Sequence, residues 1–245
     1  MQKTMFQRLA FWARNLWFRE MFPVISLYAQ GQILDVGGRD FYNIVRRKGV
    51  RHDRWVSVEY SKEHLLRADD PRYTAVMADG CRLCFKDDSF DTVFNIDVLE
   101  HVFEPIKMFQ EIIRVLNPGG HAIVVMPQTC GLHESPHHYY NFTRFWMVKA
   151  AERMHLEIVL LKPMGGVFST MAFQTVYFFL QVFRVRGYTS PEYQRTPFFF
   201  ILMPFMIVYA LVQLPFYLLF SLGDLPEGAN KHMVVVRKPE RKIQP

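Results

Sequence analysis

Acidic, amide and glycyl residues recur just past the short β-branched runs of this chain, and that placement decides what chemistry they could do. Ile33-Leu-Asp-Val-Gly-Gly38 carries an apolar run into a glycine pair, with Asp35 inside the run and Gly37 and Gly38 at its end. Glu59 and Tyr60 close a second run, Asp79 and Gly80 follow a third, and Asn95 and Asp97 end a fourth. Glycine lets a nucleotide-like ligand approach the backbone closely, and a carboxylate beyond a strand end can hold ribose hydroxyls. Such groups at successive strand ends point to a bound nucleoside more strongly than one glycine motif does.

A second set could move protons. His133-Glu-Ser-Pro-His-His-Tyr-Tyr-Asn-Phe-Thr-Arg-Phe145 supplies His133, His137, His138, Tyr139 and Tyr140 in one segment. Imidazole, with an ordinary pKa near 6.5, is the natural general base for a hydroxyl acceptor. Asp97-x-x-Glu100-His101 puts two carboxylates and an imidazole at a helix start, where they could face one divalent cation. Cys81-Arg-Leu-Cys84 lacks the second pair that zinc requires, and with Cys130 it leaves an odd number of thiols, as a reducing compartment allows.

The elements that position these groups read as alternating strands and helices. Strands are expected at Ile33–Val36, Trp55–Val58, Tyr73–Met77, Thr92–Ile96, His121–Met126, Leu156–Leu161 and Met233–Arg237. Pro105 suits the first turn of a helix running through Met108, Ile112 and Leu116, which Asn117-Pro-Gly-Gly120 stops. Thr143 is placed as the N-cap of a further helix reaching about Met154. This alternation predicts an α/β fold with crossover helices.

The constellation resembles the class I S-adenosylmethionine-dependent methyltransferases, of the methyltransferase type 11 kind, from about Gln32 to Pro127 and again at the last strand. Ile33 to Gly38, Val58-Glu59-Tyr60, Ala78-Asp79-Gly80, Phe90 to Val102 and Arg114-Val-Leu-Asn-Pro-Gly-Gly120 carry the likeness. It implies a Rossmann-like seven-stranded sheet with helices on both faces and S-adenosyl-L-methionine as cofactor. By it Asp35, Gly37 and Gly38 shape the methionine end, Glu59 with Tyr60 meets the ribose, Asp79 with Gly80 meets the adenine, and Asn95 and Asp97 border the cofactor. The family loop usually continues with two more glycines, where this chain has Arg39 and Phe41. Arg39 is either a partner for the methionine carboxylate or a solvated turn residue. The histidine segment looks like one found in methyltransferases of saccharide and lipid assembly, which makes His101, His133, His137 and Tyr139 the catalytic candidates. Some relatives hold a metal at the residues matching Glu100 and His101 and many do not, so no metal is assigned.

Outside the expected sheet the chain is greasy. No charged residue lies between Arg195 and Asp224, a stretch long enough for a bilayer span, although Pro204 and Pro215 should cut it into pieces. Upstream, Phe168, Met171, Ala172, Val176, Phe179 and Phe183 form a helical stripe. If the last strand returns to the same sheet, both ends of this insertion lie on one side of a membrane, which favours a monotopic or re-entrant arrangement over a single crossing. An apolar dimerisation hairpin, giving a homodimer, is the alternative.

With 245 residues there is room for one catalytic domain and one extra element. The expected division is an N-terminal amphipathic helical region at 1–30, the methyltransferase domain at 31–163 and 229–240, and the apolar insertion at 164–228. The net charge of +6 suits anionic headgroups, and no basic run interleaved with aromatics marks a nucleic-acid partner. The sequence therefore predicts an enzyme on the cytoplasmic face of a membrane, partnered by membrane lipids and O-methylating a lipid or lipid-linked saccharide. An isoprenoid quinone precursor as acceptor, or a non-catalytic membrane scaffold, are the competing readings.

Overall fold

The structure, a computed structural model, describes residues 20–185, 188–189 and 193–241. These form two compact units, one of residues 20–127, 139–162 and 232–241, the other of residues 128–138 and 163–231. Most of the N-terminal amphipathic stretch lies outside the described residues. What is described of it is a helix, α1, at 20–28, whose Met21 and Ile25 are buried in the first unit.

The first unit is built on a seven-stranded sheet. Its strands are β1 (Gln32–Val36), β2 (Arg54–Glu59), β3 (Tyr73–Met77), β4 (Phe90–Ile96), β5 (Leu116–Pro127), β6 (Glu157–Met164) and β7 (Lys231–Arg237), in the order β3-β2-β1-β4-β5-β7-β6. The first five pair in parallel, with Val36 beside Val58, Glu59 beside Met77, and Asn95 beside Val124. β7 runs against β5: Gly119 N–H donates to the Lys238 carbonyl while Lys238 N–H donates to Gly120. The last strand enters the sheet beside β6, as expected.

Side chains alternate across this sheet, so each strand feeds two cores. On one face Leu34, Val36, Val58, Val124 and Val236 pack with Met108, Phe109 and Ile112 of α3 (Pro105–Val115) and Met147 and Ala150 of α4 (Arg144–Arg153). On the other, Phe41 and Tyr42 of α2 (Phe41–Arg47) pack against Trp55, which stacks on Phe94 with ring centroids 5.4 Å apart. Thr143 takes the N-cap position of α4 without a side-chain capping bond. Asn117-Pro-Gly-Gly120 ends α3 as expected, yet it also lies inside β5, because the strand bulges there. Phe90 pairs with Leu116 and Thr92 with His121, and Asn117 donates to Asp91 Oδ1 at 2.8 Å to close the bulge.

The second unit centres on two helices, α5 (Val167–Val182) and α6 (Pro197–Phe220). They lie antiparallel: Phe168 at the start of α5 meets Phe220 at the end of α6, and Arg195 before α6 donates to the carbonyls of Gln181 and Val182. Pro204 and Pro215 do not divide the apolar stretch, which is one helix. Each proline removes one N–H, orphaning at most the Phe200 and Leu211 carbonyls, and its φ near −65° suits a helix, so the intervening turns hold. Among the described residues this is the one helix long and apolar enough to cross a membrane, with mean hydropathy 2.1 and 6% of its most apolar window buried.

Candidate cofactor site

The site residues of the sheet unit gather at the C-terminal ends of β1 to β4 because parallel strands deliver all those ends to one edge. β1 leaves the sheet through Gly37, whose φ of +79° is left-handed and whose N–H donates to the Val58 carbonyl at 2.8 Å. A Cβ there would stand 2.6 Å from Val98 Cγ2, so the glycine lets the segment after β4 close on the loop. Arg39, also left-handed at φ +47°, donates its backbone N–H to Glu59 Oε1 at the end of β2. The Ala78 N–H in turn donates to the Glu59 carbonyl at 3.0 Å, tying in the end of β3.

Two carboxylates are buried at this edge. Asp35 is 1% exposed, with both carboxylate oxygens shut off from solvent and only the Trp55 indole near enough to favour its charge. Burial, with the nearby charge of Glu59, holds its carboxyl well above the usual range. Burial also pushes Glu59 up, opposed by the Arg39 N–H and the Arg39 charge. Asn95 is fully buried, with its amide nitrogen 3.6 Å from Met108 Sδ. Met108 reaches over Gly80, where a Cβ would lie 2.3 Å from its Cε. Asp79 is exposed and accepts the Cys81 N–H at 2.8 Å, and Tyr60 is 82% exposed. Asp97 follows β4 at φ +55°, its N–H on the Val125 carbonyl at 3.0 Å.

Of the proton-transfer candidates, His101 and Tyr139 belong to this unit. His101 ends a short 3-10 turn, Leu99–His101, that begins right after Val98. Tyr139 N–H donates to the carbonyl of buried Glu100 at 2.8 Å, and its ring meets Phe103 edge-on. His133 and His137 belong to the other unit, where the His133 ring lies 4.4 Å from that of His138 and its Nδ1 is 3.0 Å from the Gly131 carbonyl. Val98 and Met108, which close over Gly37 and Gly80, were not expected as site residues. The signal was a bulky apolar residue within a turn of the Asp97 and helix-start motifs, but sequence alone does not tell which glycine such a residue covers.

The departures from the family loop have a local cause. Phe41 is 5% exposed and meets Phe94 edge-on at 5.6 Å, so the position of the last family glycine is occupied here by a core side chain that opens α2. Arg39 adopts the left-handed conformation that a glycine would take more cheaply.

The fit to S-adenosylmethionine is chemical. The cofactor carries ammonium and sulfonium charges that a desolvated Asp35 can answer, and ribose hydroxyls that can donate to the Glu59 oxygen not engaged by Arg39.

Comparisons with known proteins agree. Residues 34–124 match the family described as Methyltransferase domain. An uncharacterized methyltransferase of Mycobacteroides abscessus is 33% identical over 99 residues, 38% of this chain and 38% of that protein. The demethylmenaquinone methyltransferase of Clavibacter sepedonicus is 46% identical over 57 residues, 23% of each chain. The chain thus spans well under half the length of these curated relatives. Phosphoethanolamine N-methyltransferase 2 of Haemonchus contortus, solved in complex with S-adenosyl-L-methionine, has a TM-score of 0.56 at 17% identity, covering 91% of this chain and 53% of that one. Residues 34–124 of the sheet unit thus match the methyltransferase domain family, carried on a seven-stranded sheet of order β3-β2-β1-β4-β5-β7-β6.

Proposed function

We propose that the chain is a membrane-associated methyltransferase that uses S-adenosyl-L-methionine to O-methylate a lipid or lipid-linked saccharide. The observation that carries the enzymatic part is the buried, desolvated Asp35 beside Gly37 and Gly38, with Glu59 one strand away. When bound, the cofactor supplies an electrophilic methyl group on sulfur.

The chain's own residues then do the rest. Asp35 and the glycine pair hold the methionine end, Glu59 and Tyr60 the ribose, and Asp79 with Gly80 the adenine side, while Asn95 and Asp97 border the cofactor from β4. His101 lies three residues past Val98, which covers Gly37, and so sits in the same unit as the cofactor loop. It is the residue we assign to accept or orient the acceptor's hydroxyl proton as the oxygen takes the methyl group. Tyr139, anchored on the Glu100 carbonyl, supports that turn, and His133 and His137 are assigned to the acceptor side on sequence grounds.

The membrane part rests on α6. Its 24 residues extend about 36 Å at 1.5 Å each, comparable to a hydrocarbon core of about 30 Å. Phe198, 72% exposed, and Ile201, 64% exposed, typify an outer face that water would penalise. Because β6 and β7 flank this region in sequence and neighbour one another in the sheet, its two ends return to one place, which suits a hairpin lying in or dipping into one leaflet. The net charge of +6 favours an anionic, cytoplasmic surface.

The likeness to a demethylmenaquinone methyltransferase favours a second reading, in which the acceptor is an isoprenoid quinone precursor. The test is methyl transfer from labelled cofactor into the organic extract of membranes, with mass analysis of the product. A labelled lipid heavier by one methylene supports the first reading and a labelled quinone the second. Transfer into water-soluble material alone would remove both, and the absence of any cofactor binding would leave a scaffold.

A further inference from the structure

The hairpin of α5 and α6 is greasy outside and has a mainly apolar cleft inside, along which the few polar side chains of α6 are gathered. α6 carries only three side chains with hydrogen-bonding groups, Tyr209, Gln213 and Tyr217, and they recur at i, i+4 and i+8 on one stripe. All three line a cleft of about 640 Å³ between the helices. Opposite them α5 contributes Thr170, Gln174 and Phe178, again at i, i+4 and i+8. The helices meet at Ala210, the one buried residue of α6, and the cleft opens beside that contact.

The polar groups differ in what they already do. Thr170 Oγ1 donates to the Gly228 carbonyl and Thr175 Oγ1 to the Met171 carbonyl, each at 2.8 Å. Gln174 donates to the Thr129 carbonyl. Gln213 makes no hydrogen bond among the described residues, although it lies between Tyr209 and Tyr217 on the same stripe of α6. Gln213 is only part-buried, so in water its amide is solvated; set in hydrocarbon, as the docked reading has it, an amide without a partner is costly. Its place in a cleft of ligand size, within the range of about 300–1,000 Å³, calls for an occupant that brings a polar group to it.

We infer that this cleft binds a single long hydrocarbon chain whose hydroxyl or carbonyl head pairs with Gln213, with Phe178, Met206 and Phe205 holding the chain. The inference rests on the proposed membrane-docked reading and adds a lipid-chain site to it. A cleft of this volume is too small for a helix from a second copy, and its polar stripe would be wasted on an alkane.

The experiment uses the full chain on vesicles of phosphatidylcholine and phosphatidylglycerol with two photoactivatable probes, a C16 alcohol and the matching hydrocarbon. Flotation with the vesicles is read first, and failure to float overturns the docked reading itself. In floating protein, peptide mapping should place the alcohol on cleft residues such as Met206 and Phe178, in preference to outward residues such as Val208. Gln213→Leu should cut capture of the alcohol about fivefold, the worth of one hydrogen bond, while leaving the hydrocarbon probe unchanged. Thr175→Phe, which adds bulk at a part-buried cleft position away from the Ala210 contact, should reduce both without changing flotation. Labelling spread evenly over α6 and indifferent to both substitutions would overturn the inference, as would a crosslinked dimer in place of lipid adducts.

Discussion

The carboxylate of Asp35 occupies the space a side chain on Gly38 would need: a Cβ built on Gly38 falls 1.8 Å from Asp35 Oδ2. The acid is 1% exposed and packed on all sides, so it cannot swing clear. Gly38→Ala should therefore destabilise the sheet unit by about 1–3 kcal/mol, the usual cost of overpacking. On the proposed reading it also displaces the acid from the cofactor. Thermal unfolding and calorimetric titration with S-adenosylmethionine measure the two effects, and an unchanged Tm would show that the loop opens easily.

Asp35 itself should trade stability for binding. Its pKa is raised by burial and by Glu59, so the native state binds a proton that the unfolded chain, with a value near 3.9, releases. Stability contributed by this residue is greatest below that value and is lost as pH rises towards the native pKa. Asp35→Asn removes this loss and should raise Tm at pH 7 by about 2–4 °C, equivalent to ~1 kcal/mol for a chain of this size. Cofactor affinity should fall at least about tenfold, as an electrostatic partner worth ~1.4 kcal/mol or more is removed. A variant both less stable and fully able to bind would contradict the assignment.

Glu59→Gln tests the ribose assignment separately. The amide oxygen can still accept the Arg39 N–H, so the loop and the unfolding temperature should change little. The charge-assisted bond to a ribose hydroxyl is lost, and the dissociation constant for cofactor should rise about tenfold, in line with hydrogen bonds to charged groups. Unchanged affinity would leave Glu59 as a loop anchor only.

What the sequence made legible follows local physics. β3 spans Tyr73–Met77 as the sequence pattern places it, and α3 starts at Pro105 because proline prefers a first turn. The site edge was readable because Asp35, Glu59, Asp79 and Asn95 each sit within two residues of a strand end, and parallel pairing then aligns those ends. What was not legible depends on partners distant in the chain. β5 reaches back to Leu116 because Lys238 pairs across Gly119 and Gly120, more than a hundred residues away. Phe41 reads as a lost glycine in a loop pattern, and only its contact with Phe94 identifies it as core. Pro204 and Pro215 read as breaks because propensity scores each residue alone, whereas a 24-residue helix spreads two missing bonds over many that remain. The grouping of residues 128–138 with the apolar unit had no signal in hydropathy at all.

Asp224, the first charge after the apolar stretch, reaches back 55 residues to accept the N–H groups of Phe168 at 2.7 Å and Ser169 at 2.9 Å, capping α5 in place of side-chain-less Gly166. Burial alone would raise its pKa, but these bonds and the Ser169 hydroxyl hold it below the ordinary value. A lowered carboxyl contributes stability that is present above the unfolded pKa, near 3.9, and lost as pH falls through the native one. Asp224→Ala should thus cost about 1–2 kcal/mol at pH 7 and almost nothing at the lowest pH where the protein stays folded. Comparing denaturation of wild type and variant across pH 2.5–7 checks the sign, and a gap that widens on acidification would refute it.

The anchoring reading stands or falls on the outward face of α6. Val208 and Val212 are 60% and 54% exposed and lie one turn apart, clear of Ala210 and the contact with α5. In water, replacing them with lysine relieves apolar exposure and leaves the hairpin intact, so stability should hold or rise. In a bilayer each charge near the helix centre costs about 2.5–3.5 kcal/mol, and two of them should cut vesicle partitioning at least about a hundredfold. Val208→Lys with Val212→Lys should therefore release the protein from vesicles while calorimetric binding of S-adenosylmethionine is unchanged. Deleting Phe198 to Leu222 should release it as well. If the lysine variant floats as before but the deletion does not, α6 is held by contacts other than this face. If both still float, attachment belongs to the N-terminal stretch, and if the wild type stays soluble but turns monomeric with the lysines, the face joins two copies of the chain.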